Sequence, residues 1–480
     1  MRGVVAAGHP LTAEAGADVL RLGGNAVDAA LAAMMTAFAA EPWLTSLGAG
    51  GYMLVAEPGG GEVLLDFFVE AAGRGRERAD HADLIAVDVP FGDVVQVFHV
   101  GAASCGTYGM PAGICEAHRR WGTVPLPRLA TAGARAAREG VAVSAPQAYI
   151  FEILAGIAAT TPEGRAMLEI DGHAPVEGDV VAQPELADAL DRLGREGSAP
   201  FYSGDIAERV CAWIADRGGL LGPEDLAAYE VVARAPQRAA YRGREVVTNP
   251  PPSAGGILIA SALEELEATS CADGPPSTEA LVAALQHAQQ RRTPEFLERL
   301  GSTTHVSVLD GTGLACSVTS SNGSGSGVFV PGTGLHLNNM MGEQDLSPQG
   351  FFSHPAGRRL PSMMSPTIVR RDGEVEVVVG SAGSNRIRSA IIQVISRVVD
   401  EGLDPEAALR APRVHWEDGV VYCEPGIEAG ALEAAGRTVA RFRGLNLFFG
   451  GAQCVARGAD GLLRGAGDPR RGGAAVSVSA

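Results

Sequence analysis

The sequence predicts a layered α+β fold in which blocks of helices pack on blocks of strands. Helical periodicity runs from Ala13 to Ala40, and the middle of the chain, from about 125 to 300, is mostly helical in pattern. After Thr303 the pattern changes to strands separated by tight turns. Separate blocks of this kind indicate sheets covered by helices, and they argue against repeating strand–helix–strand units.

The first elements are two helices and a hairpin. Gly23-Gly24-Asn25 separates the helices, and Glu41-Pro42 ends the second one. Strands are expected at 52–56 and 62–68, because Pro58-Gly59-Gly60-Gly61 between them is a turn sequence.

The remaining elements follow from apolar periodicity and from glycine-containing turns. Helices are predicted in the middle of the chain and after the last hairpin, at 147–158, 185–197, 206–217, 278–300 and 386–400. Two further hairpins are predicted, with strands at 303–310 and 314–319, and at 367–371 and 375–380.

Composition excludes several classes of function. The net charge of −18 argues against a nucleic-acid partner, because phosphate binding needs a basic surface. All 38 basic residues are arginine, which excludes a catalytic lysine and a lysine-dependent phosphate loop. The seven cysteines and ten histidines lack metal-ligand spacing, so neither a metal nor another cofactor is expected. The sequence shows no secretory leader or membrane span, and a cytoplasmic protein is the expectation.

The most informative segment is Gly301-Ser302-Thr303-Thr304-His305, at the start of a predicted strand. A threonine exposed as a new N-terminus would carry its own base, because its α-amine has a reference pKa of about 7.7–8.0. Alternation sends Thr303 and His305 to one face of the strand and Thr304 to the other. His305 is a weaker candidate base, because packing is the commoner role at such a position.

Four other segments contain groups suited to catalysis or binding. The run 319–327 combines hydroxyls with glycines, and Gly380-Ser381-Ala382-Gly383-Ser384 leads into a helix whose free N–H groups suit an oxyanion. The loop 360–367 holds two serines between prolines, and Glu343 follows a pair of asparagines. Each segment also has an ordinary structural explanation, as a surface loop, a helix cap or a solvated turn.

In order along the chain, these segments resemble the γ-glutamyltranspeptidase family of N-terminal-nucleophile hydrolases. The matches run almost from end to end and are Gly23-Gly24-Asn25-Ala26-Val27-Asp28-Ala29-Ala30, Glu41-Pro42, Gly48-Ala49-Gly50-Gly51, Trp121-Gly122-Thr123, Pro251-Pro252-Ser253, Thr303-Thr304-His305, Asn338-Asn339, Ser362-Met363, Ala411-Pro412-Arg413 and Asp468-Pro469-Arg470.

The resemblance implies a four-layer αββα sandwich made as a proenzyme. It implies cleavage between Ser302 and Thr303 into a large subunit, 1–302, and a small catalytic subunit, 303–480, which together form one structural domain. Thr303 becomes the nucleophile, Ser321 supports it, and Gly383 and Ser384 form the oxyanion hole.

The resemblance also assigns substrate-binding roles. Asn322, Glu343 and Ser362 fall on substrate-holding positions, with Glu343 in place of an aspartate. Val69 stands where family members that bind glutamyl groups carry an arginine. Loss of that guanidinium removes a charge-assisted bond worth roughly 1.5–3 kcal/mol.

The implied function is amide hydrolysis or acyl transfer through an acyl-enzyme on Thr303. The default substrates are γ-glutamyl amides such as glutathione, with an amine acceptor left open. Two alternatives remain at this point: an acylase of altered specificity, for an oxalyl-type or β-lactam side chain, and a homologue that binds without self-cleavage. The expected partners are a small amide substrate and the paired subunits, with a homodimer left open.

Overall fold

The computed structural model describes residues 2–76, 81–91, 94–170, 172–269, 274–291, 302–347 and 349–479. Within these ranges the α-helices are α1 (Pro10–Arg21), α2 (Ala26–Ala40), α3 (Met110–Trp121), α4 (Leu126–Glu139), α5 (Ala145–Ala158), α6 (Pro162–Met167), α7 (Pro184–Glu196), α8 (Ala199–Tyr202), α9 (Asp205–Ala215), α10 (Pro223–Ala227), α11 (Gly255–Thr269), α12 (Thr278–Gln290), α13 (Arg386–Asp400), α14 (Pro405–Arg410) and α15 (Gly430–Ala434).

The strands are β1 (Gly3–Ala7), β2 (Gly50–Ala56), β3 (Glu62–Phe67), β4 (Ile85–Phe91), β5 (Val94–Val100), β6 (Val141–Ala142), β7 (Val180–Val181), β8 (Val232–Arg234), β9 (Gln237–Tyr241), β10 (Arg244–Thr248), β11 (Ser302–Asp310), β12 (Ala315–Gly323), β13 (Phe329–Val330), β14 (Leu335–His336), β15 (Thr367–Arg371), β16 (Glu374–Ala382), β17 (Val414–Glu417), β18 (Val420–Cys423), β19 (Thr438–Arg441), β20 (Gly451–Arg457), β21 (Leu463–Gly467) and β22 (Ala474–Val478).

Two antiparallel sheets form the centre of the molecule. The first has the order β22-β1-β11-β12-β2-β3-β8, and the second has the order β21-β20-β16-β15-β10-β9. Helices α1 and α2 cover the outer face of the first sheet, and α11, α13 and α14 cover the second. The predicted α+β fold and its αββα layering are confirmed.

Polar side chains join the inner faces of the sheets. Ser307 on β11 donates a hydrogen bond to the Gln453 carbonyl on β20 (3.1 Å), and Ser317 on β12 donates one to the Val379 carbonyl on β16 (3.2 Å). These bonds fix the position of β11 relative to the second sheet, because each hydroxyl is fully buried and needs its partner.

Both parts of the chain, 1–302 and 303–480, contribute strands to both sheets. The first sheet places β11, β12 and β22 among strands from the first part, and the second sheet joins β9 and β10 to four strands from the second part. This interleaving supports one structural domain, which stays a prediction together with the subunit boundary.

Local sequence explains the best-predicted elements. Asn25 caps α2 through a capping box with Asp28, which accounts for the break between α1 and α2. All fifteen residues of α2 are buried, because it lies between the first sheet and α4. Among the described residues, no helix has the length and apolar character needed to cross a membrane.

Several strands differ from the sequence prediction. The mostly helical middle of the chain contains the hairpin β9–β10, whose two turn residues, Arg242 and Gly243, both have positive φ (50° and 70°). An arginine at the first turn position conceals this hairpin in the sequence. The helix predicted at 278–300 ends at Gln290, and its remaining part from 292 lies outside the described residues.

Candidate active site

Thr303 lies near the start of β11, in the middle of the first sheet. It pairs with Ser321 of β12, and its hydroxyl lies 3.4 Å from the Ser321 hydroxyl. Its side chain is 3% exposed, so a reaction there is shielded from bulk water. Ser302 is the first residue of the strand, and the register shifts between these two residues. The predicted scissile bond therefore coincides with an irregularity in the sheet.

The two faces of β11 match the predicted alternation. Thr304 faces the helix layer, where its hydroxyl donates to both carboxylate oxygens of Glu41 (3.1 and 3.0 Å). His305 faces the second sheet and bonds to the hydroxyls of Thr319 (2.7 Å) and Ser307 (2.9 Å). Burial lowers the pKa of His305 to about 3. A neutral imidazole with both ring nitrogens hydrogen-bonded fits a packing role and not that of a general base.

Glu41 is a residue of the site that the sequence did not indicate. The sequence marked it only as part of Glu41-Pro42, which ends α2 and matches the family. The side chain is buried immediately after α2, and burial raises its pKa to about 7, against the opposing effects of the Thr304 hydroxyl and the Arg471 charge. Glu41 therefore holds Thr304, the residue directly after Thr303, in place. Its carboxyl changes charge near neutral pH. Only the preceding helix and the following proline marked this position in the sequence.

Gly383 and Ser384 form the junction between β16 and α13. Both have positive φ, 117° for Gly383 and 55° for Ser384. β16 packs against β11, the strand of Thr303, and the Arg471 guanidinium contacts both Thr303 and the Gly383 position. The Arg471 Nη1 atom donates to the Thr303 carbonyl (3.3 Å), and its Nη2 lies 3.4 Å from where a Cβ on Gly383 would be.

Glu343 is buried close to Ser321. The Ser321 hydroxyl accepts a hydrogen bond from the Gly323 N–H (3.0 Å), and a Cβ on Gly323 would lie 2.8 Å from Glu343 Oε1. That same oxygen accepts from the Ser324 N–H (3.0 Å). Burial raises the pKa of Glu343 to about 8, so the carboxyl is mostly protonated near neutral pH.

Asn322 has its side chain committed to the protein. Its carbonyl oxygen accepts from the Ser46 hydroxyl (2.9 Å), its amide contacts His336 Nδ1 (3.2 Å), and it has no exposed surface. The geometry places Asn322 behind Ser321 as a support for the loop after Pro42. Its substrate-binding role stays a prediction.

Val69 follows the end of β3 in the first sheet, and Ser362 lies in a loop that packs against that end. The Leu360 N–H donates to the Val69 carbonyl (3.0 Å), which brings the 360–364 loop against the end of β3. The Ser362 hydroxyl accepts from the Met364 N–H (3.0 Å). Val69 is fully buried, and a Cβ on Gly106 would lie 2.4 Å from its Cγ1. An apolar contact therefore occupies the position of the family arginine.

A nearby arginine does not replace the missing one. The Arg359 guanidinium donates hydrogen bonds to the Phe68 and Glu230 carbonyls and to the Tyr229 hydroxyl. It also lies within 3.5 Å of the carboxylates of Asp66 and Glu70. These contacts occupy the group in a buried network within the protein. The site thus combines Thr303, the predicted nucleophile, with a hydroxyl neighbour and two buried carboxyls, and the arginine nearest Val69 in these contacts, Arg359, is already bonded within the protein.

Comparison with known proteins gives a consistent result. The gamma-glutamyltranspeptidase family pattern matches residues 12–298 and 284–478. The chain is 31% identical to the acylase ACY 1 proenzyme of Pseudomonas sp. strain SE83, covering 100% of this chain and 94% of that protein. It is also 31% identical to the glutathione hydrolase proenzyme of Escherichia coli K12, covering 98% and 90%.

A solved structure agrees with the sequence relatives. The cephalosporin acylase from Bacillus halodurans superposes with a TM-score of 0.86 and 25% identity, covering 100% of this chain and 96% of that one. The fold, the family pattern and the full-length relatives all agree on the family. The chain therefore belongs to the gamma-glutamyltranspeptidase family and is a hydrolase/acyltransferase of that family.

Proposed function

We propose that the chain cleaves itself between Ser302 and Thr303 and then hydrolyses or transfers acyl groups through Thr303. In the first step the Thr303 hydroxyl oxygen attacks the Ser302 carbonyl carbon, and the peptide C–N bond breaks to leave an ester. Water then hydrolyses the ester, which gives a carboxylate on Ser302 and a free α-amine on Thr303. The observation that carries the proposal is the buried Thr303 hydroxyl, 3.4 Å from the Ser321 hydroxyl, in the middle of the sheet.

The same hydroxyl then attacks the substrate amide. The Thr303 α-amine accepts the hydroxyl proton, because its reference pKa of about 7.7–8.0 leaves part of it neutral near pH 7. The N–H groups of Gly383 and Ser384 stabilise the oxyanion of the tetrahedral intermediate. The amine leaves with a proton, and water or an acceptor amine releases the acyl group.

The first substrate class is the γ-glutamyl amides, glutathione among them. Support comes from the relatives named glutathione hydrolase and from Glu343 beside Ser321. A protonated Glu343 donates a hydrogen bond, and an ionised one pairs with a substrate amine.

The second candidate is an acylase with a different acyl specificity, such as an oxalyl-type or β-lactam side-chain acylase. The buried apolar contact of Val69 favours it, because nothing at that position pairs with a substrate carboxylate. The relatives named acylase fit the same candidate.

The test begins with the purified chain on a denaturing gel. We expect the 49.4 kDa chain to give two bands, and the smaller one to begin at Thr303 by N-terminal sequencing. Thr303→Ala should stay intact, and Thr303→Ser, which keeps a hydroxyl, should still be cleaved. A cleaved Thr303→Ala protein, or a different new N-terminus, would contradict the proposal.

The acyl group is then tested with 4-nitroanilides. Turnover of γ-glutamyl-4-nitroanilide supports the first substrate class. Cleaved protein that leaves this compound intact and hydrolyses a glutaryl or phenylacetyl anilide supports the second. Cytoplasmic location and a homodimer stay predictions from the sequence.

A further inference from the structure

A small cavity opens beside Gly383. Its volume is about 240 Å³, and most of its wall is apolar. Its apolar wall comes from α5, from β5, from the loop after Pro42 and from the segment before β20, namely Ile150, Ile153, Leu154, Phe98, Leu44 and Leu447. A space of this size and character accommodates a small organic group next to the predicted oxyanion hole.

Three arginines also line this cavity, and two of them are paired within the protein. Arg470 is bonded to the Glu424 and Asp468 carboxylates and to the Leu409 carbonyl. Arg386 donates to the Phe448 carbonyl (2.9 Å) and lies 3.8 Å from Glu417. The charges of both are therefore balanced before any ligand binds.

Arg471 differs from both. Its single hydrogen bond to a described residue goes to the Thr303 carbonyl, and within the described ranges its buried Nε has no hydrogen-bond partner. A guanidinium has five N–H donors in a planar fork, and burying even one of them without an acceptor is costly. Burial and the Arg386 charge lower its pKa to about 10, although Glu41 and Asp468 act in the opposite direction.

The cavity and the Val69 position extend from Thr303 in different directions. Ser321 and Gly50 follow Thr303 across β12 and β2, and a Cβ on Gly50 would lie 2.7 Å from the Val69 nitrogen. Arg471 instead reaches Thr303 from the segment between β21 and β22. On this side it also contacts Gly383, which follows β16. The cavity and Val69 therefore lie on opposite sides of Thr303, and the cavity is on the side reached by Arg471.

We propose that this cavity holds the amine half of the amide substrate, and that Arg471 binds a carboxylate on that half. The inference rests on the proposed function, whichever acyl group is correct. The ligand class is an amine with a short apolar or aromatic body that carries a carboxylate: an amino acid, a small peptide or an aminobenzoate. The carboxylate is unchanged in the reaction, in which the amide C–N bond breaks, the Thr303 ester forms and the amine leaves with a proton.

The test compares two anilides of the same acid that differ by one carboxylate on the amine half, the 4-nitroanilide and the 3-carboxy-4-nitroanilide. Each is made with a γ-glutamyl and with a glutaryl group, which gives four compounds. For the cleaved protein we expect kcat/KM to be at least about tenfold higher for the carboxylated member, as one charge-assisted bond implies. Arg471→Gln should reduce that ratio to within about twofold of one, and Arg471→Lys should keep part of it. Because both anilides report on the same enzyme, a general loss of activity cancels in the ratio.

A ratio near one in the wild-type protein, or one unchanged by Arg471→Gln, would overturn the inference while the proposed function stands. If none of the four anilides is turned over, the proposed function fails for these acyl groups, and binding decides the inference. Calorimetric titration of the wild-type protein should then give at least about tenfold tighter binding of 5-amino-2-nitrobenzoate than of 4-nitroaniline. Equal binding would reject the cavity as a carboxylate site, and this measurement also applies if Arg471→Gln fails to fold.

Discussion

The two sheets contribute to the active site in different ways. The first sheet presents side chains, since Thr303 and Ser321 are paired on β11 and β12, next to the register shift at Ser302, and the buried carboxyls of Glu41 and Glu343 lie close to them. The second sheet presents main chain, since Gly383 and Ser384 leave β16 with positive φ. Substitutions on the first sheet therefore test side-chain chemistry and buried charge, and those on the second test backbone conformation.

The largest expected effect is from Val69→Arg. A guanidinium does not fit in this closely packed, fully buried position, so we expect a loss of about 3–5 kcal/mol in the free energy of unfolding, measured by urea denaturation. Val95→Arg, at a position that is 63% exposed, is the matched control and should change stability little. A folded Val69→Arg protein that gains turnover of γ-glutamyl-4-nitroanilide would show instead that the first sheet still accepts the family arginine.

Gly383→Ala tests the main-chain contribution. The new Cβ would lie 2.9 Å from the Gly450 Cα, at a φ of 117° that side chains rarely adopt, so the loop has to move. We expect kcat of the cleaved protein to fall about 10²–10³-fold, the cost of losing one oxyanion-hole donor.

Gly436→Ala is the control for backbone strain alone. Its φ is also positive, at 77°, but it has open space around it and lies outside the site. It should lower stability and leave kcat unchanged. Equal kcat values for the two variants would remove Gly383 from the mechanism.

Glu41→Gln tests buried charge behind the nucleophile. The folded protein raises the pKa of Glu41 to about 7, so it holds this proton more tightly than the unfolded chain does. Stability therefore falls as the pH rises from about 4.5 through 7, and the amide should remove that part of the fall.

At pH 8 we expect Glu41→Gln to be more stable than wild type by about 1–3 kcal/mol, measured by urea denaturation across this pH range. Glu279→Gln, at an exposed position of α12, should follow the wild-type curve. A Glu41→Gln protein with the wild-type slope would mean that Glu41 stays ionised in the folded state.

The smallest expected effect is from Ser384→Gly. A serine at φ 55° is in the left-handed region, which glycine adopts without the steric cost of a Cβ. We expect a gain of about 0.5–1 kcal/mol from thermal unfolding, with kcat retained because the N–H group is unchanged. Ser384→Ala keeps the Cβ and should show no gain; a gain there would assign the effect to the hydroxyl.

Sequence patterns predicted the parts of the molecule in which local signals are strong. The hairpins around 303–319 and 367–380 have glycine turns, and Gly383-Ser384 follows an apolar strand directly, so these elements were found. The short strands β1, β17 and β22 were missed, because each has four or five residues and depends on distant partners.

The missed site residues share the same physical reason. Glu41 meets Thr304 across 263 residues of sequence, and Arg471 meets Thr303 across 168. Neither contact has a local pattern, since a carboxylate after a helix and one arginine among 38 are ordinary features. Tertiary packing alone brings them to the nucleophile.

The alternation of strands from 1–302 and 303–480 has a consequence for handling the mature protein. If the bond before Thr303 is cut, as proposed, the two polypeptides stay together without a covalent link. Separating them would break the strand pairs β22–β1, β1–β11 and β12–β2 in the first sheet and β15–β10 in the second. Complete denaturation then releases two species, and their recovery becomes a bimolecular reaction whose yield depends on dilution. The uncut precursor refolds as one molecule, so we expect its recovery after denaturation to depend less on dilution than that of the mature form.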